Sequence, residues 1–198
     1  MKIRNQKSGF TLLESLVAVS LLALSITIAF TIAPEGISAT RLAKNHITAV
    51  YLGQEAIEIV RNRRDTDMYY GDYWLDYFVN DNDFLDKQLM ANGATAELIE
   101  CAGECDLVDL VRVKDTADGP LYGNGSDFTE NNSEATIFRR VVEIKRVMYN
   151  PNDDPEKDDG VDINDREIQV TARMTWQDLG REREVLIQEN LFRWWPPF

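Results

Sequence analysis

From Ser15 to Pro34 the chain reads SLVAVSLLALSITIAFTIAP, twenty residues without one formal charge. At about 1.5 Å per residue a helix of that length covers the roughly 30 Å hydrocarbon core of a bilayer. A helix apolar on all sides has no solvent face, so its surroundings must be lipid or another apolar bundle. Lys2, Arg4 and Lys7 precede the run with no acid among them. Basic flanks stay in the cytoplasm, so the N-terminus is expected there and the rest of the chain across the membrane.

A cleavable secretory signal is the plainest source of such a start. Against it, the run exceeds the usual h-region of about 7 to 15 residues, and Pro34 directly follows Ala33, the one plausible small-residue cleavage position. An uncleaved signal anchor explains the length equally well. Neither explains the junction KSGFTLLES, where Gly9 and Phe10 stand before the run and Glu14 lies in its first turns. Insertion scales charge about 2.5 to 3.5 kcal/mol for an Asp, Lys or Arg at mid-bilayer, so Glu14 must find a partner or snorkel to the interface.

Lys7-Ser8-Gly9-Phe10-Thr11-Leu12-Leu13-Glu14, followed by the long apolar run, resembles the prepilin processing site of type IV pilins and type II secretion pseudopilins. The resemblance covers only about the first 35 residues. It implies cleavage after Gly9 by a prepilin peptidase/methyltransferase, with methylation of Phe10 as the new N-terminus and Glu14 as the fifth mature residue. It also implies other pilin or pseudopilin subunits, the inner-membrane assembly machinery and membrane lipid as partners. An ammonium at Phe10 could pair with Glu14 of a neighbouring subunit in low dielectric, and because a half-made buried pair is costly, the pair would fix the stagger between subunits. Loss of Lys2, Arg4 and Lys7 with the leader takes the formal charge from −13 to −16.

Beyond Pro34 and Gly36, which would loosen or kink a helix, the pattern stays helical but becomes amphipathic. Ile47, Val50, Ile57 and Val60 recur at helical spacings, with Arg41, Lys44, Gln54, Glu55, Glu58 and Arg61 on other sides. The helix is expected to run to about Arg64. From Asp65 to Asn132 there are 16 acids and three bases, a net −13 that equals the charge of the whole chain. Its aromatic and Gly-rich clusters, Tyr69 to Trp74 and Gly119 to Gly125, read as loops with aromatic plugs, with short strands near Leu107 to Val113. Cys101 and Cys105, the only cysteines, are most simply a disulfide on the outer side of a membrane. A metal site there would need further ligands, and the one histidine, His46, belongs to the helix.

From Ala135 the chain turns strand-like. Ile137 to Met148 is β-rich, and Glu167 to Trp176 alternates, with Ile168, Val170, Ala172, Met174 and Trp176 on one face. Asp178-Leu179-Gly180 supplies a turn and Glu184 to Phe192 a third strand, together an antiparallel meander. The fold class expected is α+β: a long N-terminal helix, half transmembrane and half amphipathic, packed on a small antiparallel sheet, as the resemblance also implies. The organisation is then 1–9 leader, 10–35 membrane or filament-core helix, 36–66 amphipathic helix, 67–134 acidic loop-rich insertion and 135–198 meander completing the head.

Residues 150–165, between the first two strands of the meander, are dense in oxygen ligands of the kind calcium takes. Asp158, Asp159, Asp162 and Asp165 are the candidates, although an EF-hand frame set on Gly160 puts Lys157 and Pro155 at ligand positions. A solvated hairpin loop is the competing reading. With one His, no phosphate loop and no nucleophile beside a base, catalysis is not expected. The acidic surface argues against nucleic acid. The tail, Arg193-Trp194-Trp195-Pro196-Pro197-Phe198, would dock on the sheet or contact a neighbouring subunit or surface. The function expected is that of a prepilin-like structural subunit, a minor pilin or pseudopilin, with cytoplasmic N-terminus and external head. The rival is an uncleaved, signal-anchored binding domain that never polymerises.

Overall fold

The computed structural model describes residues 11–71, 74, 75, 77, 78, 84–101, 105, 110–147 and 167–192. The fold is α+β: one long N-terminal helix packed on a seven-stranded antiparallel sheet. Helix α1 spans Leu12–Tyr70, and the strands are β1 (Gln88–Asn92), β2 (Glu97–Glu100), β3 (Leu110–Thr116), β4 (Gly119–Gly123), β5 (Glu134–Arg146), β6 (Ile168–Asp178) and β7 (Arg181–Leu191). The chain divides into two compact units, residues 1–45 and residues 46–198.

In the first unit α1 is helical through Pro34 and Gly36 without a break in its assignment. Its apolar side chains, from Leu12 to Ile32, are exposed. The polar residues within the run do not disturb it. Ser15, Ser20, Ser25, Thr27 and Thr31 each donate a hydroxyl hydrogen bond to a carbonyl three or four residues back, at 2.8 to 2.9 Å. A hydroxyl bonded to its own helix presents little unsatisfied polarity to an apolar environment.

In the second unit the sheet order is β2-β1-β4-β3-β5-β6-β7. Strand β5, 13 residues long, is the spine. One edge of β5 carries β6, from Phe138 opposite Trp176 to Arg146 opposite Ile168. The other edge is shared by β3, at Arg139 to Glu134, and β1, at Glu143 and Val142. Strands β6 and β7 are joined by a two-residue turn in which Leu179 (φ 49°) and Gly180 (φ 75°) are both left-handed. That is the turn whose twist matches paired strands.

Ala49, Leu52, Gly53, Ala56, Ile57, Ile59 and Val60 form the face of α1 that is buried in the head. They cluster with Val142, Ile144, Ile168, Val170 and Ala172 toward one end, and with Val111, Phe138, Met174 and Trp176 toward the other. At Gly53 a Cβ would stand 2.8 Å from Ile187 Cδ1, so a glycine is what lets the helix lie this close to β7. The far side of the sheet carries a smaller cluster of Cys101, Cys105 and Val141, against which Met90 packs.

Three expectations are corrected. The helix extends six residues past Arg64, so Tyr69 and Tyr70 are helical and exposed, while Trp74 is buried. The acidic block holds more strand than its composition suggests: besides β3, expected near Leu107 to Val113, it supplies β1, β2 and β4, the last over Gly119–Gly123, which reads as loop in the sequence. Among its described acids, Asp86, Glu97, Glu100, Asp115 and Asp118 are exposed on strands or turns, while Asp67 on α1 is buried. Ile47 is 55% exposed and is not part of the core face, which begins two positions on, at Ala49.

Candidate functional site

Gly9 and Phe10 lie outside the described residues, which begin at Thr11, immediately after the proposed cut. Thr11 caps α1: its Oγ1 accepts a hydrogen bond from the Glu14 backbone N–H at 3.3 Å. Thr-Leu-Leu-Glu is the spacing of a capping box, with the acid three residues past the cap. Glu14 is exposed and sits in the first turn, where a negative charge also complements the helix dipole. The T-x-x-E signal was legible in the sequence, although the reading above took only the acid from it.

By length and composition α1 is able to cross a membrane. Its apolar half therefore presents a capped, self-satisfied, all-apolar cylinder with one carboxylate near its start. Such a surface suits lipid or the packing of like helices.

In the head, Arg140 projects from the core face of β5 and is completely buried. Its Nη1 donates to the Leu52 carbonyl (3.0 Å) and to Glu55 Oε2 (2.7 Å), and its Nη2 to the Ala91 carbonyl (2.7 Å). One side chain thus ties α1, β1 and β5 together. Burial lowers the Arg140 pKa, and Glu55 opposes that shift. Arg61 makes a second tie: its Nη2 donates to both carboxylate oxygens of Glu189 on β7, at 2.7 and 2.5 Å, and its Nη1 pairs with Glu58. The Glu189 hydrogen bond raises the Arg61 pKa. From sequence Arg61 was placed only on a polar side of the helix, and Arg140 was not singled out. For Arg140 the signal was its phase, two residues from Phe138 and two from Val142 on a strand with period two.

Arg63 lies over the Tyr77 ring, 3.9 Å from its centroid, and its Nε donates to Asp67 at 3.1 Å. Burial raises the Tyr77 pKa, and Arg63 partly offsets it. A raised folded-state pKa means that the unfolded chain loses this proton first. The contribution is complete below the unfolded value of about 10 and is lost as pH rises through the folded value. The urea midpoint is therefore expected to fall more steeply above about pH 10 in the native chain than in Tyr77→Phe, and parallel pH profiles would contradict this.

Cys101 and Cys105 are joined in a disulfide across Cα atoms 5.5 Å apart. The Gln88 side chain accepts a hydrogen bond from the Cys105 N–H at 3.0 Å, which anchors the closed loop to β1. Asp158, Asp159, Asp162 and Asp165 lie outside the described residues, as does the tail from Arg193. Among the described residues no group of three or more His, Cys, Asp or Glu is placed to hold a metal ion.

Residues 4–30 match the prokaryotic N-terminal methylation motif, the prepilin motif of type IV pilins and pseudopilins. The matched stretch contains Gly9, Phe10, Glu14 and most of the apolar run, and leaves the head outside it. No curated protein and no solved structure matches the chain. The match supports a likeness to type IV pilin-like prepilin substrates, whose motif is a structural, generally non-enzymatic one. Together with the apolar helix it is consistent with a membrane-anchored protein.

Proposed function

We propose that the chain is a structural subunit, a minor pilin or a pseudopilin, cut after Gly9, methylated at Phe10 and assembled through α1 into a type IV pilus or a type II secretion pseudopilus. The observation that carries this reading is the methylation motif over residues 4–30, placed on a helix whose apolar half is exposed from its first turn. A prepilin peptidase/methyltransferase, other pilin-type subunits and an inner-membrane assembly machinery are its partners. The head is displayed outside the cytoplasmic membrane, and its large acidic block leans the reading toward a minor component.

Mass spectrometry of the protein recovered from its native membrane tests the processing step. The expected product begins at methylated Phe10. A chain that still begins at Met1, or one cut after Ala33, overturns the proposal in favour of an anchored or secreted domain.

A further inference from the structure

The packing of α1 gives the head two distinct ends. Ala49 clusters with Phe138, Met174 and Trp176, and the His46 ring stands edge-on to Trp176 at 6.4 Å. Further along the helix, Ile59 and Val60 cluster with Ile144, Ile168 and Val170. Strand β6 therefore points its C-terminal end, and the turn Leu179-Gly180, toward the end where α1 enters the head. Strand β5 starts at that end, since Phe138 is opposite Trp176. The β3–β4 turn lies there too, since Val113 is opposite Glu134 and Thr116 closes on Gly119.

Among the described residues of the head, the exposed large aliphatic side chains are Ile47, Leu121, Ile137, Leu179 and Leu186. All but Leu186, midway along β7, belong to the end where α1 enters. Tyr69, Tyr70 and Phe192, also exposed, lie at the opposite end. Leu179 is the outermost. It is 72% exposed at the tip of a two-residue turn, with φ 49°, a conformation that Asn, Asp and Gly take readily and leucine rarely. A leucine there neither suits the turn nor fills the core, so its apolar surface is what the position gains from it.

We infer that this end of the head rests on the phospholipid surface from which its own helix emerges, with Leu179 immersed at headgroup level. The inference rests on the membrane anchoring proposed above. The apolar run ends at Pro34, and twelve residues of helix, about 18 Å, lead from there to His46. The three strand residues from Trp176 to Leu179 project about 10 Å. A headgroup layer is itself about 5 to 7 Å thick, so the tether is short enough for the tip to meet lipid. Acids such as Asp118, Glu134 and Glu182 stand beside Arg181 and Arg183 at this end, so charge supplies no net pull toward anionic headgroups and the contact is apolar.

The test uses the full chain in vesicles of zwitterionic phospholipid, with one added cysteine carrying an environment-sensitive fluorophore and nitroxide lipids as quenchers. Labels are placed by Leu179→Cys at the tip, Tyr70→Cys at the opposite end and Ser25→Cys within the apolar run. The expected result is quenching of the label at 25 by acyl-chain nitroxides, quenching of the label at 179 by headgroup nitroxides, and no quenching at 70. A quenched label at 25 with an unquenched label at 179 overturns the inference and leaves the anchoring intact. An unquenched label at 25 overturns the anchoring and the inference with it. A label at 179 that is shielded from a water-soluble quencher yet untouched by lipid nitroxides would put protein at the tip, and would equally overturn the inference. Leu179→Asn supplies a second check, because asparagine suits the turn and should leave the urea midpoint of the head unchanged or higher. It should nevertheless lower headgroup quenching of a label introduced by Ile137→Cys about two- to tenfold, the effect of losing one partly immersed aliphatic side chain. Equal quenching with and without Leu179 would contradict its immersion.

Discussion

Arg140→Met is expected to lower the stability of the head by about 3 to 5 kcal/mol, the usual cost of removing one partner from a buried ion pair. The side chain of Arg140 is fully buried and makes three hydrogen bonds on two other elements, so methionine replaces its volume but none of its donors. The Ala91 carbonyl then loses the donor that satisfied it, at about 1 to 3 kcal/mol. Glu55 is partly exposed and can recover water, which places the loss toward the lower end of the range. Against a typical domain stability of about 5 to 15 kcal/mol, the variant would fold only marginally. Arg61→Met provides the comparison, because Arg61 and Glu189 each keep about a third of their side-chain surface in solvent. Loss of that pair is expected to cost no more than about 1 kcal/mol. Urea unfolding of the full chain in detergent, followed by the near-ultraviolet dichroism of buried Trp74 and Trp176, measures both. Equal midpoints for the two variants would remove Arg140 from its central place.

How much of this was legible in the sequence depended on whether the signal was periodic and made of large side chains. Strand β6 was read because its five inward residues alternate with polar ones, and all five are buried. The turn at Leu179-Gly180 followed from its glycine. The core face of α1 was placed on Ile47, Val50, Ile57 and Val60; Ile57 and Val60 are buried and Ile47 is not, and the helix also turns Ala49, Gly53 and Ala56 inward, where small residues let it approach the sheet. A reading weighted toward large apolar residues misses a face built of small ones. Strands β1, β2 and β4 were missed for a related reason, and β3 was anticipated only near Leu107 to Val113. They are short, between four and seven residues, and β1 and β3 join the sheet through β5, far along the chain, so local pattern alone does not decide them. Arg140 broke the apolar pattern of its own strand and was passed over, because a charged residue in an inward phase is readable only once its partners on α1 and β1 are placed.

The N-terminal site was read correctly as a motif but incompletely as chemistry, and the difference decides what Glu14 variants should do. Two roles are available to this residue. In the first it belongs to the cap of α1, where Thr11 Oγ1 accepts the Glu14 N–H and a glutamine at the same position would serve almost as well. In the second its charge is the substance of the site, because a free ammonium at Phe10 of a neighbouring subunit has no other anion along the apolar run to meet. Glu14→Gln separates them. If the charge matters, Gln and Val at this position fail alike, and incorporation into filaments falls at least about tenfold, since an unpaired ammonium in an apolar bundle costs well over the 1.4 kcal/mol that a factor of ten represents. Thr11→Ala should cost about 0.5 to 2 kcal/mol of helix capping and leave incorporation closer to normal, because an assembled bundle holds the helix by packing. The assay is the ratio of filament-borne to membrane-borne protein, with the mass of the mature N-terminus recorded alongside so that a loss of cleavage is not counted as a loss of assembly. Normal incorporation of Glu14→Gln together with failure of Thr11→Ala would assign the motif's acid to the helix cap, and the stagger between subunits would then have to come from the apolar surface of α1.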